Sequence, residues 1–195
     1  MTTGHLIGSA GILRNRNLCE QAIQAINSGS KDAFELQSTI RTQISPELAG
    51  FVTTVANLQR KAMRKLQAPD AAQRVWWGTE KSFQQATPWQ VARLKSKWFA
   101  HEPVFDLCCG NGGDALQLKN RGPVIAVDAD PLTAELAAAN LAVDHVNESD
   151  AADWNELVVD ANSRHRSQST PKDICNDVTL LQLPPSSWIN IDPDR

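Results

Sequence analysis

The stretch Val104-Phe105-Asp106-Leu107-Cys108-Cys109-Gly110-Asn111-Gly112-Gly113-Asp114 decides the fold. Its first four residues form a short apolar run that reads as a buried strand. Glycines then crowd one turn, where they permit positive φ and let a ligand approach the backbone closely. A helix follows through Ala115, Leu116 and Leu118 and stops at Arg121-Gly122-Pro123. Glycine just past a last turn, with proline beyond it, is a helix stop. Val124-Ile125-Ala126-Val127 is a second apolar run, and Asp130-Pro131 caps a second helix from Leu132 to about Val143. Strand, glycine turn, helix, strand, helix with tight connections is the pattern of a doubly wound parallel sheet.

Downstream, residues 144–173 are polar and read as an inserted loop, within which Ser149 caps a short helix holding Trp154, Leu157 and Val158. A weak third strand is expected at Asp173 to Asn176. A fourth, Trp188-Ile189-Asn190-Ile191, runs into Asp192-Pro193-Asp194-Arg195.

Upstream, residues 1–100 read as helical, with no strand pattern before residue 103. Leu18, Ala22, Ile23, Ala25 and Ile26 fall at helical spacing, and Asn27-Ser28-Gly29-Ser30 breaks the pattern. Ser45-Pro46-Glu47 starts a helix with serine as N-cap and proline at its first position. Leu48, Phe51, Val52, Val55 and Leu58 form its stripe, and Arg60, Lys61, Arg64 and Lys65 decorate its end, where cations suit the helix dipole. Thr87-Pro88 repeats the start signal, with Val91, Leu94, Trp98 and Phe99 on one face.

The net charge of −3 conceals a split. Residues 1–100 carry 13 Lys/Arg against 6 Asp/Glu, and residues 101–195 carry 6 against 16. A basic half suits a polyanion such as RNA; the plainer reading is solvated helix faces. No apolar run approaches the roughly eighteen residues of a membrane span, and no signal-peptide pattern opens the chain. The four cysteines show no CxxC spacing and no zinc-finger partners, which fits a reducing cytoplasm and no metal site.

The glycine turn and Asp128, 18 residues after Gly110, together describe a nucleoside-cofactor site. An acid at the end of the second strand accepts the hydroxyl hydrogens of a ribose. Gly110, Gly112 and Ala115 also fit the dinucleotide fingerprint, so an NAD-linked oxidoreductase stands as an alternative. Charge separates the two. A pyrophosphate at the helix N-terminus would meet Asp106, Asp114, Asp128 and Asp130. S-Adenosylmethionine, with a sulfonium and an ammonium, is favoured by the same carboxylates.

Val104 to Asp114 resembles the first motif of class I S-adenosylmethionine-dependent methyltransferases. The chain is similar, more narrowly, to the trimethylguanosine synthase family and to bacterial methyltransferases with a THUMP-like domain. Val124 to Asp130 resembles their second motif, Asn176-Asp177-Val178 their acidic motif, and Ile191-Asp192-Pro193-Asp194-Arg195 the D-P-x-R form of their fourth. Trp77-Gly78-Thr79-Glu80 and Gln84 to Ala92 resemble the segment that precedes the core in that group.

The resemblance implies that Asp106, Gly110, Gly112 and Asp114 hold the methionine end of the cofactor. It implies Asp128 on the ribose, Asp177 on the adenine amino group, and Thr87 and Pro88 closing over the cofactor. Asp192 and Pro193 would face the methyl acceptor, with RNA as the implied substrate. Asp194 and Arg195 stand where many base-amine methyltransferases carry an aromatic residue. The expected architecture is a helical N-terminal region, 1–100, before a partial Rossmann-like S-adenosylmethionine-binding domain, 101–195. About four parallel strands make that core incomplete beside the family's sheet. Weak cofactor binding and poor turnover follow as expectations, and a non-catalytic nucleotide- or RNA-binding remnant is the further alternative.

Cys108-Cys109 reads as strand-end packing, His101 as a linker residue, and Trp76-Trp77 as an anchor of helix to core.

Overall fold

The computed structural model describes residues 11–29, 33–70, 73–100, 104–122, 124–141, 183 and 188–192. The order is α1 (Arg16–Ser28), α2 (Ala33–Gln43), α3 (Pro46–Leu66), α4 (Glu80–Gln85), α5 (Trp89–Ser96), β1 (Val104–Leu107), α6 (Ala115–Leu118), β2 (Val124–Val127), α7 (Pro131–Leu141) and β3 (Trp188–Ile191). The protein is therefore mixed α/β with a three-stranded parallel sheet among the described residues, in the order β2-β1-β3. Three of the four expected strands stand where the apolar runs put them. The strand expected at 173–176, the helix after Ser149, the 144–173 insertion and His101 lie outside the described residues.

β1 and β2 are buried along their whole length, as parallel strands covered on both faces must be. Val104, Val124 and Ala126 turn to one side and pack with Ala115, Leu118 and Ala137. Phe105, Leu107, Ile125 and Val127 turn to the other, against Leu183. The in-register pairing sets Asp106 level with Ala126 on one neighbour and Asn190 on the other. Asp106 therefore shares its face of the sheet with Asn190, beneath the glycine turn.

Helix ends follow local chemistry. The Ser45 hydroxyl accepts from the Leu48 N–H at 3.2 Å, and Pro46 fills the first helical position; such a cap is worth about 1 kcal/mol. Asp130 Oδ2 accepts from Thr133 N at 2.8 Å and so caps α7. Thr79 and Ser82 exchange hydrogen bonds in a capping box that starts α4.

Two expectations change. Pro88, not Thr87, is the N-cap of α5, which leaves the Thr87 hydroxyl to face the glycine turn. Val91, Leu94 and Trp98 are exposed, because α5 buries Ala92 and Ser96 instead. Small residues on that side let the helix lie close to α6, and the larger ones are turned outward.

The helical region packs onto α7 of the sheet region. Ile12, Ile23, Val52, Val55 and Trp77 pack with Leu136 and Ala139 of α7. Polar stitches run across the same seam. Glu135 Oε1 accepts from Ile12 N at 2.9 Å, and Arg74 donates to Asn140 O at 3.1 Å. The side chain of Trp77 is fully buried, in keeping with its reading as an anchor.

Candidate functional site

β1 lies between β2 and β3, so the chain leaving β1 turns one way and β3 enters on the other side. In open parallel sheets the crevice at the carboxyl end of such a switch point is where ligands bind. Here it is bounded by the turn from Cys108 to Asp114 and by Asp192 just after β3.

The turn is built from left-handed residues. Gly110 and Gly112 have φ of 58° and 78°, and Cys108, with φ 58°, adopts the same region despite its side chain. Gly112 also lies against α7: a Cβ there would meet Ala137 Cα at 3.4 Å. On its outer side the turn is held by Asn140, whose Nδ2 donates to Asn111 O at 2.8 Å and to Trp77 O at 2.7 Å. Asn140 Oδ1 accepts from Trp77 N at 2.8 Å.

Asp128 closes the turn from the end of β2. Its Oδ2 accepts from Gly110 N at 3.1 Å and its Oδ1 from Asp130 N at 3.0 Å. Each oxygen keeps a further lone pair, and the residue is half-buried, so its acceptor capacity is not exhausted.

Inside the crevice three carboxylates gather. Asp106 is buried, and its Oδ1 accepts from Asn190 Nδ2 at 2.6 Å. Asp114 Oδ2 accepts from Lys95 Nζ at 2.7 Å and lies 3.4 Å from Asn190 Nδ2 and 3.5 Å from Thr87 Oγ1. Lys95 Nζ also donates to Asp192 Oδ2 at 3.0 Å. Burial pushes the Asp106 carboxyl up to about 7, and the neighbouring Asp114 charge adds to the rise, against the pull of Asn190 and Lys95. Burial alone would lower the Lys95 pKa; its two carboxylate partners more than reverse this and raise it. Burial also drives the Cys109 thiol well above its usual range, so it stays protonated and packs as an apolar group.

Three buried polar atoms here have no hydrogen-bond partner among the described residues: Asp106 Oδ2, Asp114 Oδ1 and Asn111 Nδ2. Such groups are costly in a packed interior and mark places where a ligand completes the set. Asp114 Oδ1 is an acceptor on an acid, and Asp106 Oδ2 becomes one as its carboxyl ionises near 7; both then suit a ligand rich in donors or positive charge.

Of the residues expected from sequence, Thr87, Asp106, Gly110, Gly112, Asp114, Asp128 and Asp192 meet around this crevice, with Pro88 at the start of α5 beside it. Asp177 and Pro193 lie outside the described residues. Lys95, Asn111, Asn140 and Asn190 were not singled out. A polar residue inside the apolar run Trp188 to Ile191 was the signal for Asn190, and an asparagine ending the apolar run Leu136 to Ala139 was the one for Asn140.

Fold and site together define a mixed α/β protein with an acidic crevice at the switch point of a parallel sheet. No family model matches the chain, and no curated protein or solved structure does either. Among the described residues no cluster of His, Cys, Asp and Glu is arranged to hold a metal, and no helix is long and apolar enough to cross a membrane.

Proposed function

We propose that the protein is an S-adenosylmethionine-dependent methyltransferase with a Rossmann-like core of the class I type, and that its acceptor is RNA. The observation that carries this reading is the pair of buried carboxylates, Asp106 and Asp114, with unfilled oxygens beside the glycine turn. A donor that brings an ammonium and a sulfonium satisfies them, whereas a pyrophosphate would be repelled. The same charge argument weighs against the NAD-linked alternative.

Asp106 and Asp114 would receive the methionine end, and Asp128, pinned by Gly110 N and Asp130 N, would accept from the ribose hydroxyls. When bound, S-adenosylmethionine supplies an electrophilic methyl group on sulfur. The chain's own work is then to hold donor and acceptor in line and exclude water. Asp192, at the mouth of the crevice, would orient an acceptor N–H or O–H. The roles carried to Asp177 and Pro193 remain part of the resemblance.

RNA is supported by the basic half of the sequence and by an exposed surface beside the crevice. There α5 presents Arg93, the two residues after the helix are the exposed Lys97 and Trp98, and Arg93 lies 5.1 Å over the Trp89 ring. Cations interleaved with aromatic faces suit phosphates and stacked bases.

Thermal unfolding with S-adenosylhomocysteine or NAD tests the reading. A ligand at about a hundred times its Kd adds about 2.7 kcal/mol, a shift of several degrees. Stabilisation by S-adenosylhomocysteine, lost in Asp128→Ala, is expected. Stabilisation by NAD alone overturns the assignment.

A further inference from the structure

Lys95 reaches the crevice from α5, which packs on α6 beside the glycine turn. Among the described residues, the ion pairs of Asp114 and Asp192 are both with Lys95. Its side chain is 22% exposed, and Asp114's is 8% exposed. The ammonium is therefore held largely out of water, between the acid on the donor side and the acid on the acceptor side. Nothing in the packing of α5 requires this, since its buried residues are Ala92 and Ser96.

We propose that Lys95 is an internal counter-cation that competes with a cationic ligand for Asp114, and so sets how sharply the site distinguishes a sulfonium donor from its neutral thioether product. The inference rests on the methyltransferase reading. In methyl transfer the sulfur–methyl bond breaks as the acceptor–methyl bond forms, and the sulfur lone pair returns to leave an uncharged thioether. Donor and product thus differ by one unit of positive charge. A crevice of bare carboxylates would hold the donor far more tightly than the product. A fixed ammonium on Asp114 offsets part of that preference, because it repels the sulfonium and leaves the thioether little affected.

The direction of the effect is distinctive. Removing a side chain that merely supports the crevice weakens both ligands. Removing a competing cation frees Asp114 for the ammonium that both ligands carry, and tightens the donor further because it alone carries the sulfonium. For charges separated by several ångström in a partly buried site, the change is roughly tenfold.

Isothermal titration of wild type, Lys95→Met and Lys95→Arg with S-adenosylmethionine and with S-adenosylhomocysteine, at pH 7.5 and low salt, tests this. The ratio of product Kd to donor Kd should rise about tenfold in Lys95→Met and stay within about twofold of wild type in Lys95→Arg. If Lys95→Met does not fold, Lys95→Gln keeps an N–H donor toward Asp114 at zero charge and carries the same expectation. An unchanged ratio, or equal weakening of both ligands, overturns the inference while leaving the methyltransferase reading standing. If wild type binds neither ligand, that reading fails and the inference fails with it.

Discussion

The two sides of the glycine turn are built on opposite terms. On the outer side, Asn140 is neutral and fully buried, and both ends of its amide are bonded: to Trp77 N, Trp77 O and Asn111 O. On the inner side, Asp106 and Asp114 are acidic and buried, each with an oxygen that has no partner among the described residues. A satisfied neutral network rigidifies a fold, and an under-satisfied charged one costs stability unless something completes it. The contrast separates the half of the turn that serves the fold from the half that serves a ligand.

The largest effect is expected on the satisfied side. Asn140→Ala removes partners from three backbone groups buried between helix and turn, each worth about 1–3 kcal/mol. Denaturant unfolding should show a loss of about 3–5 kcal/mol, in the range of a broken buried network. A loss under about 1 kcal/mol would erase the distinction between the two sides.

Asp106→Asn probes the other side, with the opposite sign. The folded carboxyl titrates near 7 against about 3.9 in the unfolded chain, so the native state holds its proton more tightly. The stability this gives is complete below about pH 4 and is lost as pH rises through about 7. The asparagine variant does not lose it. Its stability advantage over wild type should therefore grow from pH 5 to pH 8, reaching about 2–4 kcal/mol. An advantage that does not change with pH would show that Asp106 is already charged in the folded protein at low pH.

Gly112→Ala sharpens the comparison at the turn itself. The residue sits at φ 78° and a Cβ would lie 3.4 Å from Ala137, so a loss of about 1–2 kcal/mol is expected in thermal or denaturant unfolding. A neutral outcome would mean that the turn relaxes freely, against the left-handed backbone at Gly112.

The strands were legible because each is a short apolar run between breakers, and full burial keeps such runs unbroken. The acids were legible because Asp106, Asp114 and Asp128 sit at fixed offsets around the glycines. Three helical features were not. α2 follows Asp32, with Glu35 three residues on, but has only a weak apolar stripe, and α4 is a short helix whose capping box uses Ser82 where glutamate or glutamine would announce it. The outward apolar face of α5 reversed the usual pattern, because small residues were needed against α6. Lys95 carries no sequence signal, for a different reason. It lies 19 residues before Asp114 and 97 before Asp192, and no local pattern records so distant an ion pair.

The central claim is that the crevice takes a cationic adenosyl donor in preference to a phosphate-bearing coenzyme. Calorimetric titration of the wild-type chain with S-adenosylmethionine and, in parallel, with NAD tests it most directly. Saturable binding of one S-adenosylmethionine per chain, lost in Asp128→Ala and with no comparable heat from NAD, is the predicted result. Absent binding of S-adenosylmethionine, or tighter binding of NAD, would contradict it.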